Sequence, residues 1–188
     1  MTTYRDDADL TRVLPWRTEP SRPLLETRIF TVHERVAASP QSDKQGAFVF
    51  IDSPDWVNVV ALTPNDEVVM IEQYRHGLDR VTLEIPGGMV DPGESPLEAG
   101  TRELREETGY AGERAELIGR VSPNPAIQTN WCHTVRVRAA VPVGTQRLDG
   151  NEEIAVVTVP RADMRALISR GVIHHALVVA GLAHHLLG

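Results

Sequence analysis

Apolar residues in the first half of this chain fall in short runs, separated by polar or proline-containing stretches, a spacing that predicts strands. LLETRIFTVHERV (24–36) and GAFVFIDS (46–53) read as strands of an early hairpin or small sheet joined by AASPQSDKQ. WVNVVALT (56–63), the turn Pro64-Asn65-Asp66 and EVVMIEQYR (67–75) read as a second hairpin. Its apolar positions only partly alternate, which suits strands covered on both faces. VTLEIP (81–86) is a short strand before a helix, and AELIGRV (115–121), WCHTVRVRAAV (131–141) and IAVVTVP (154–160) continue the strand pattern, with SPNPAIQTN (122–130) as a loop. Apolar residues recur at three and four in RADMRALISR (161–170) and IHHALVVAGLAHHLL (173–187), the helical period. Strands, one central helix and a helical tail predict an α/β fold with a mixed sheet between helices. Residues 1–23, polar and broken by Pro15, Pro20 and Pro23, read as a flexible N-terminal arm. Residues 24–53 read as a small N-terminal sheet and 54–188 as the main domain.

The central helix is well delimited. Ser95 can cap it, with Glu98 three residues on completing a capping box, Pro96 at the first helical position and Gly109 just past the end. This bounds a helix over 96–108. Its charges run against its dipole: Glu103, Glu106 and Glu107 crowd the last two turns, where acids are disfavoured by roughly 0.3–1 kcal/mol each. Glu103 and Glu107 are moreover a like-charge pair four apart. Leu97 and Leu104, seven apart, are expected to form the buried edge, leaving the three glutamates together beside a cleft. A local rule broken inside an otherwise well-made helix points to a partner for the acids, and a hard divalent cation takes oxygen ligands.

Gly88, five residues, Glu94, seven residues, then Arg102-Glu103-Leu104-x-Glu106-Glu107-x-Gly109-Tyr110 resembles the Nudix box, the signature of the Nudix hydrolases, with Tyr110 where a bulky aliphatic is usual. With each specified type at roughly 5–7% of residues, a chance match at this spacing is on the order of 10⁻⁷. The resemblance implies an α/β/α sandwich with an N-terminal strand extension and a Mg²⁺-dependent hydrolase (Mn²⁺ being possible) that cleaves a nucleoside diphosphate linked to another group. It makes Glu103 and Glu107 the principal metal ligands, with the Gly87 carbonyl and Glu106 close by. Arg102 would orient the glutamates, and Gly88 would let the loop backbone approach the metal.

Features outside the box are similar to those of ADP-ribose and nucleotide-sugar pyrophosphatases. Arg75, in Glu72-Gln73-Tyr74-Arg75-His76-Gly77, stands where the resemblance implies a hold on phosphate or the terminal ribose. A planar guanidinium suits phosphate oxygens. Pro125, fifteen residues beyond the box, matches the mark of ADP-ribose-type members, and Asn124 and Gln128 in the same loop are candidate polar contacts. Trp56 has two readings: a platform for the base in dimeric relatives, or an aromatic anchoring a strand end. Glu152 falls where the resemblance implies a further metal-binding carboxylate, and Glu152, Glu153 and Glu106 are all candidates for the general base.

Composition narrows the class. A net charge of −7, from 19 basic and 26 acidic residues, argues against a nucleic-acid polymer as partner and leaves no basic run for a membrane surface. An acidic site can still bind phosphates if a metal supplies positive charge. No apolar stretch is long enough to cross a bilayer, the N-terminus has no apolar leader, and the single Cys132 cannot form an internal disulfide, so the expectation is a cytoplasmic protein. Cys132 reads as core. His174-His175 and His184-His185 read as a solvated or dimer surface, since their spacing matches no tight metal site.

The resulting expectation is a Nudix pyrophosphohydrolase that splits ADP-ribose, or a related nucleoside diphosphate sugar, into a nucleoside monophosphate and a sugar phosphate. It is expected to act as a homodimer whose 24–53 segment packs on the partner. GDP-mannose, dinucleotides and nucleoside triphosphates are the alternative substrates, and a non-catalytic nucleotide-sensing module is the alternative outside enzymes.

Overall fold

The computed structural model describes residues 13–188; the greater part of the expected N-terminal arm, 1–12, lies outside the described residues. The strands are β1 (Arg17–Thr18), β2 (Arg22–Glu26), β3 (Thr31–Ala38), β4 (Gln45–Asp52), β5 (Trp56–Ala61), β6 (Glu67–Arg75), β7 (Arg80–Glu84), β8 (Gly87–Met89), β9 (Tyr110–Ala111), β10 (Arg114–Val121), β11 (Cys132–Arg138), β12 (Val141–Pro142) and β13 (Ile154–Pro160). Helix α1 (Pro96–Thr108) lies between β8 and β9, and α2 (Met164–Ser169) and α3 (Ala176–Leu187) follow β13. The chain divides into two units, residues up to Ser53 with Asn124–Thr129, and Pro54–Pro123 with Asn130–Gly188.

The first unit is a four-stranded antiparallel sheet centred on β3. β4 pairs along the whole of β3, from Thr31↔Asp52 to Ala38↔Gln45, while β2 and β1 share the other edge. The segment 24–36, expected as one strand, is broken between β2 and β3 by a turn that Thr27 holds. Its hydroxyl accepts from the Phe30 amide at 3.0 Å and donates to the Phe30 carbonyl at 2.7 Å. Residues of β1 and the start of β2, read from sequence as arm, are strand. Pro23 is tolerated there because it sits at a register shift of β2, where a missing N–H costs no ladder bond.

The second unit carries three sheets. One runs β10-β11-β5-β8, with β11 and β5 parallel and the outer pairs antiparallel; another runs β13-β6-β7, all antiparallel; and β12 pairs with β9 in a short antiparallel ribbon. Val57, Val59 and Ala61 of β5 with Val135 and Val137 of β11 pack against Ala99 and Leu104 of α1. Val60 and Ile85 pack with Val178 and Leu182 of α3 and Met164 of α2. Alternate residues of one strand thus reach helices on opposite faces, which is the α/β/α sandwich with a central mixed sheet. Each buried Leu or Val contributes about 1.5–3 kcal/mol.

The expected 56–75 hairpin is not one. The turn forms, with the Thr63 amide donating to Glu67 at 2.9 Å, but β5 and β6 meet only at the bridge Leu62↔Val68 and then enter different sheets. Both edges of β5 are taken by β11 and β8, and burial on both faces leaves its pairing open to any neighbour.

Candidate active site

Helix α1 begins and ends as its sequence dictates. The Ser95 hydroxyl accepts from the Glu98 amide, Glu98 accepts from the Ser95 amide at 2.9 Å, and Gly109 adopts φ 72° to stop the helix. Its buried row differs from expectation. Leu97, in the first turn, is 39% exposed, whereas Ala99, Gly100, Leu104 and Glu107 face the sheet. One of the three glutamates therefore lies on the core side.

Glu107 is 4% exposed and accepts a hydrogen bond from the Gly87 amide at 2.8 Å. Burial pushes its carboxyl up to about 8, with the Gly87 amide pulling down and the charges of Glu103 and Glu152 pushing up. Glu103, also raised chiefly by burial, is held by Arg102 at 2.8 Å. Arg102 also reaches Glu94 at 3.0 Å, Glu106 at 3.0 Å and the Met89 carbonyl at 3.1 Å, so one guanidinium organises the loop before α1 and two of its acids. Its pKa is raised, first by the Glu94 hydrogen bond, so the charge is permanent.

The two glycines of β8 make this approach possible. A Cβ on Gly87 would overlap the Val57 carbonyl of the neighbouring strand, and one on Gly88 would overlap the Glu103 carboxylate. Together these residues line a cleft of about 500 Å³ with Arg75, Asp91, Arg147, Asp149 and Glu152. Its lining is oxygen-rich and built wholly from the second unit.

Arg75 projects into the cleft from β6, clasped by Glu84 of β7 through Nε at 2.8 Å and Nη2 at 2.7 Å. Glu84 is 2% exposed; burial alone would raise its pKa, but Arg75 and a Thr82 hydroxyl at 2.5 Å more than offset that, and it is lowered. Arg75 also lines an adjoining cavity of about 300 Å³ with Trp56, Asn58, Gly88, His175 and Leu177. Trp56 therefore opens onto a cavity rather than sealing a strand end in the core.

Other expected residues fall elsewhere. Glu153 is exposed and is not among the cleft residues, whereas Glu152 is. Asn124, Pro125 and Gln128 belong to the first unit, where the Asn124 carbonyl accepts from the Gln128 amide at 2.8 Å and Gln128 bridges Ile51. Cys132 is buried, as expected, and burial raises its thiol to about 12.

Of the two histidine pairs, His174 is exposed, as expected, and the other three are half-buried. His175 caps α3, accepting from the Val178 amide at 3.4 Å; His184 Nδ1 is 3.1 Å from the Thr134 hydroxyl; both ring nitrogens of His185 are buried without a partner. The apolar surface of α3 wraps far enough round to draw its last turns onto the sheet. Sequence reasoning also passed over Glu84 and Arg147. An acid flanked by Leu83 and Ile85 was a legible sign of a buried ion pair, but nothing periodic marks Arg147 in its loop.

Comparison with known proteins was consistent across family, sequence and fold. A family model described as the NUDIX domain matches residues 53–180. The chain is 29% identical over 127 residues to the ADP-ribose pyrophosphatase of Bacillus subtilis (strain 168), covering 67% of this chain and 69% of that protein. It is 41% identical over 70 residues to the ADP-sugar pyrophosphatase of Mus musculus, covering 37% and 32%, and 39% identical over 80 residues to the methanol dehydrogenase activator of Bacillus methanolicus, covering 43% of each. The matched stretches thus span less than half the length of the mouse and Bacillus methanolicus proteins. A crystal structure titled as an ADP compounds hydrolase superposes with a TM-score of 0.82 at 22% identity over 94% of this chain and 95% of that one, a likeness of fold.

Proposed function

The chain belongs to the NUDIX domain family, and from that premise we propose that it is a metal-dependent hydrolase cleaving the diphosphate of ADP-ribose, or of a related nucleoside diphosphate sugar, to a nucleoside monophosphate and a sugar phosphate. The observation that carries this reading is Glu107: a carboxyl buried on the core side of α1, beside Glu103 and Glu152, and open to the same cleft. The names of the Bacillus subtilis and mouse relatives support the substrate class.

The donor set fits a hard divalent cation. Among the described residues no three acidic, imidazole or thiol side chains already stand together as a ligand cluster. Yet a buried carboxyl whose ionisation is opposed by burial and by two neighbouring acids is what a cation would settle. Glu103 and Glu107, with Glu106 and the Gly87 carbonyl, would hold Mg²⁺ or Mn²⁺. When bound, the metal would supply positive charge to the diphosphate oxygens and to the attacking water. Arg102 keeps Glu103 and Glu106 oriented. Of the candidate bases, Glu106 is engaged by Arg102 and Glu153 lies away from the cleft. Glu152 lines it and pairs with no cation among the described residues, so Glu152 is the group we assign to take the proton from water.

The first unit supports a homodimer. In its sheet Leu25, Val36 and Val49 are exposed, and the register sets them on one face, an apolar surface suited to a second copy of the chain. No described helix is long and apolar enough to cross a membrane, and a cytoplasmic setting accords with a lone buried thiol. The test of the function is product release from ADP-ribose, GDP-mannose, UDP-glucose, NADH, diadenosine polyphosphates and dGTP, with Mg²⁺ and with chelator. Dominance of ADP-ribose or one nucleotide sugar, abolished by chelator, is expected. Nucleotide binding with no turnover on any of them would instead point to a sensing module.

A further inference from the structure

Three arginines line the acidic cleft, and they differ in what they hold. Arg75 is clasped by Glu84, and Arg102 is committed to Glu94, Glu103 and Glu106. Arg147, in the loop between β12 and β13, is exposed and pairs with no carboxylate among the described residues, although six acids line the same cleft.

Its backbone is nevertheless fixed. The Arg147 amide donates to the Glu106 carbonyl at 2.8 Å, and the preceding Gln146 side chain donates to the Glu107 carbonyl at 2.7 Å and to the Ile154 carbonyl at 3.0 Å. The loop is thereby tied to the last turn of α1, the turn that carries two of the cleft glutamates. An anchored Cα with an uncommitted guanidinium is the arrangement of a group that waits for an anion. A diphosphate entering this cleft meets six acids, and Arg75 and Arg102 have their charges already answered by carboxylates.

We propose that Arg147 is a substrate-binding residue that grips phosphate oxygens of the diphosphate, an assignment that rests on the hydrolase reading above. Its alternative role, that of a surface charge merely easing repulsion among the acids, makes a different prediction. Without such a charge the cleft would hold a cation differently; without a phosphate grip only the anion would suffer.

The experiment measures inorganic pyrophosphate binding in the presence of Mn²⁺ by calorimetry, for the wild type, Arg147→Ala and Arg147→Lys, together with Mn²⁺ affinity alone and the thermal midpoint. Loss of a charged hydrogen bond predicts pyrophosphate affinity lower by roughly tenfold to a hundredfold in Arg147→Ala, partly recovered in Arg147→Lys. Mn²⁺ affinity and midpoint should stay at the wild-type level, and KM for ADP-ribose should rise in parallel. The proposal is overturned if Arg147→Ala binds pyrophosphate within twofold of wild type, if the wild type does not bind it, or if Mn²⁺ affinity changes in either direction by a comparable factor. If the wild type fails to turn over any nucleotide sugar while the pyrophosphate difference persists, the substrate reading falls and the Arg147 assignment stands.

Discussion

Gly87 and Gly88 are neighbours with opposite consequences. A Cβ on Gly87 meets the Val57 carbonyl, which is backbone in a paired strand and cannot yield. A Cβ on Gly88 meets the end of the Glu103 side chain, which can turn away. Gly87→Ala should therefore destabilise the fold by roughly 1–3 kcal/mol, the usual cost of overpacking, read as a lower thermal midpoint. Gly88→Ala should leave the midpoint nearly unchanged and lower turnover at least tenfold, because it displaces a proposed metal ligand. Glu107 carries a pH signature of its own. Its folded pKa, about 8, stands above the model-peptide value of 4.5, so between those values the folded state binds more protons than the unfolded one and stability falls as pH rises. Glu107→Gln keeps an acceptor for the Gly87 amide and removes the ionisation. Measured in chelator, the variant should gain stability over wild type progressively from pH 5 to pH 8, at about 1.4 kcal/mol per unit at most. A constant difference across that range would contradict the burial argument.

Among elements, the β6–β7 pair shows how an ion pair divides its cost. Arg75 has 40% of its side chain exposed and Glu84 only 2%. Removing Glu84 leaves an arginine that can turn to water; removing Arg75 leaves a carboxylate that cannot. Arg75→Ala should thus destabilise more than Glu84→Ala, by up to about 3–5 kcal/mol for the buried orphan. The deficit should shrink at acid pH, where Glu84 can protonate, and denaturant titration of both variants at two pH values checks this. Any activity loss in Arg75→Ala must be read beside that measurement. Elements also differ in how much of them the sequence disclosed. Helix α1 was legible to the residue because its start and stop are local hydrogen bonds of Ser95, Glu98 and Gly109. The 56–75 hairpin was misread because Pro64-Asn65-Asp66 announces a reversal but says nothing about which strand β5 will accept as neighbour. Likewise Leu97 and Leu104 share a spacing, yet the first turn of α1 overhangs the sheet and only Leu104 is covered.

At the scale of the whole molecule, the spacing of acids and glycines from Gly88 to Gly109 disclosed the family, and the fold followed from it. The part of the cleft contributed by Arg147 and Asp149 did not follow, since distant loops are brought to it by packing and no local pattern records that. The exposed apolar residues of the first unit were equally invisible until the sheet had been formed, because alternation alone does not say which face lacks a cover. A dimer through that sheet should give twice the chain mass by light scattering, and Val49→Glu with Leu25→Glu, which share a face, should yield monomers. The central claim is tested most directly by one measurement, the rate of ADP-ribose hydrolysis with Mg²⁺ in the wild type and in Glu107→Gln. The account predicts turnover in the wild type that chelator abolishes, and a loss of several orders of magnitude in a variant that remains folded. Near-normal turnover in Glu107→Gln, or a wild-type rate indifferent to chelator, would contradict it.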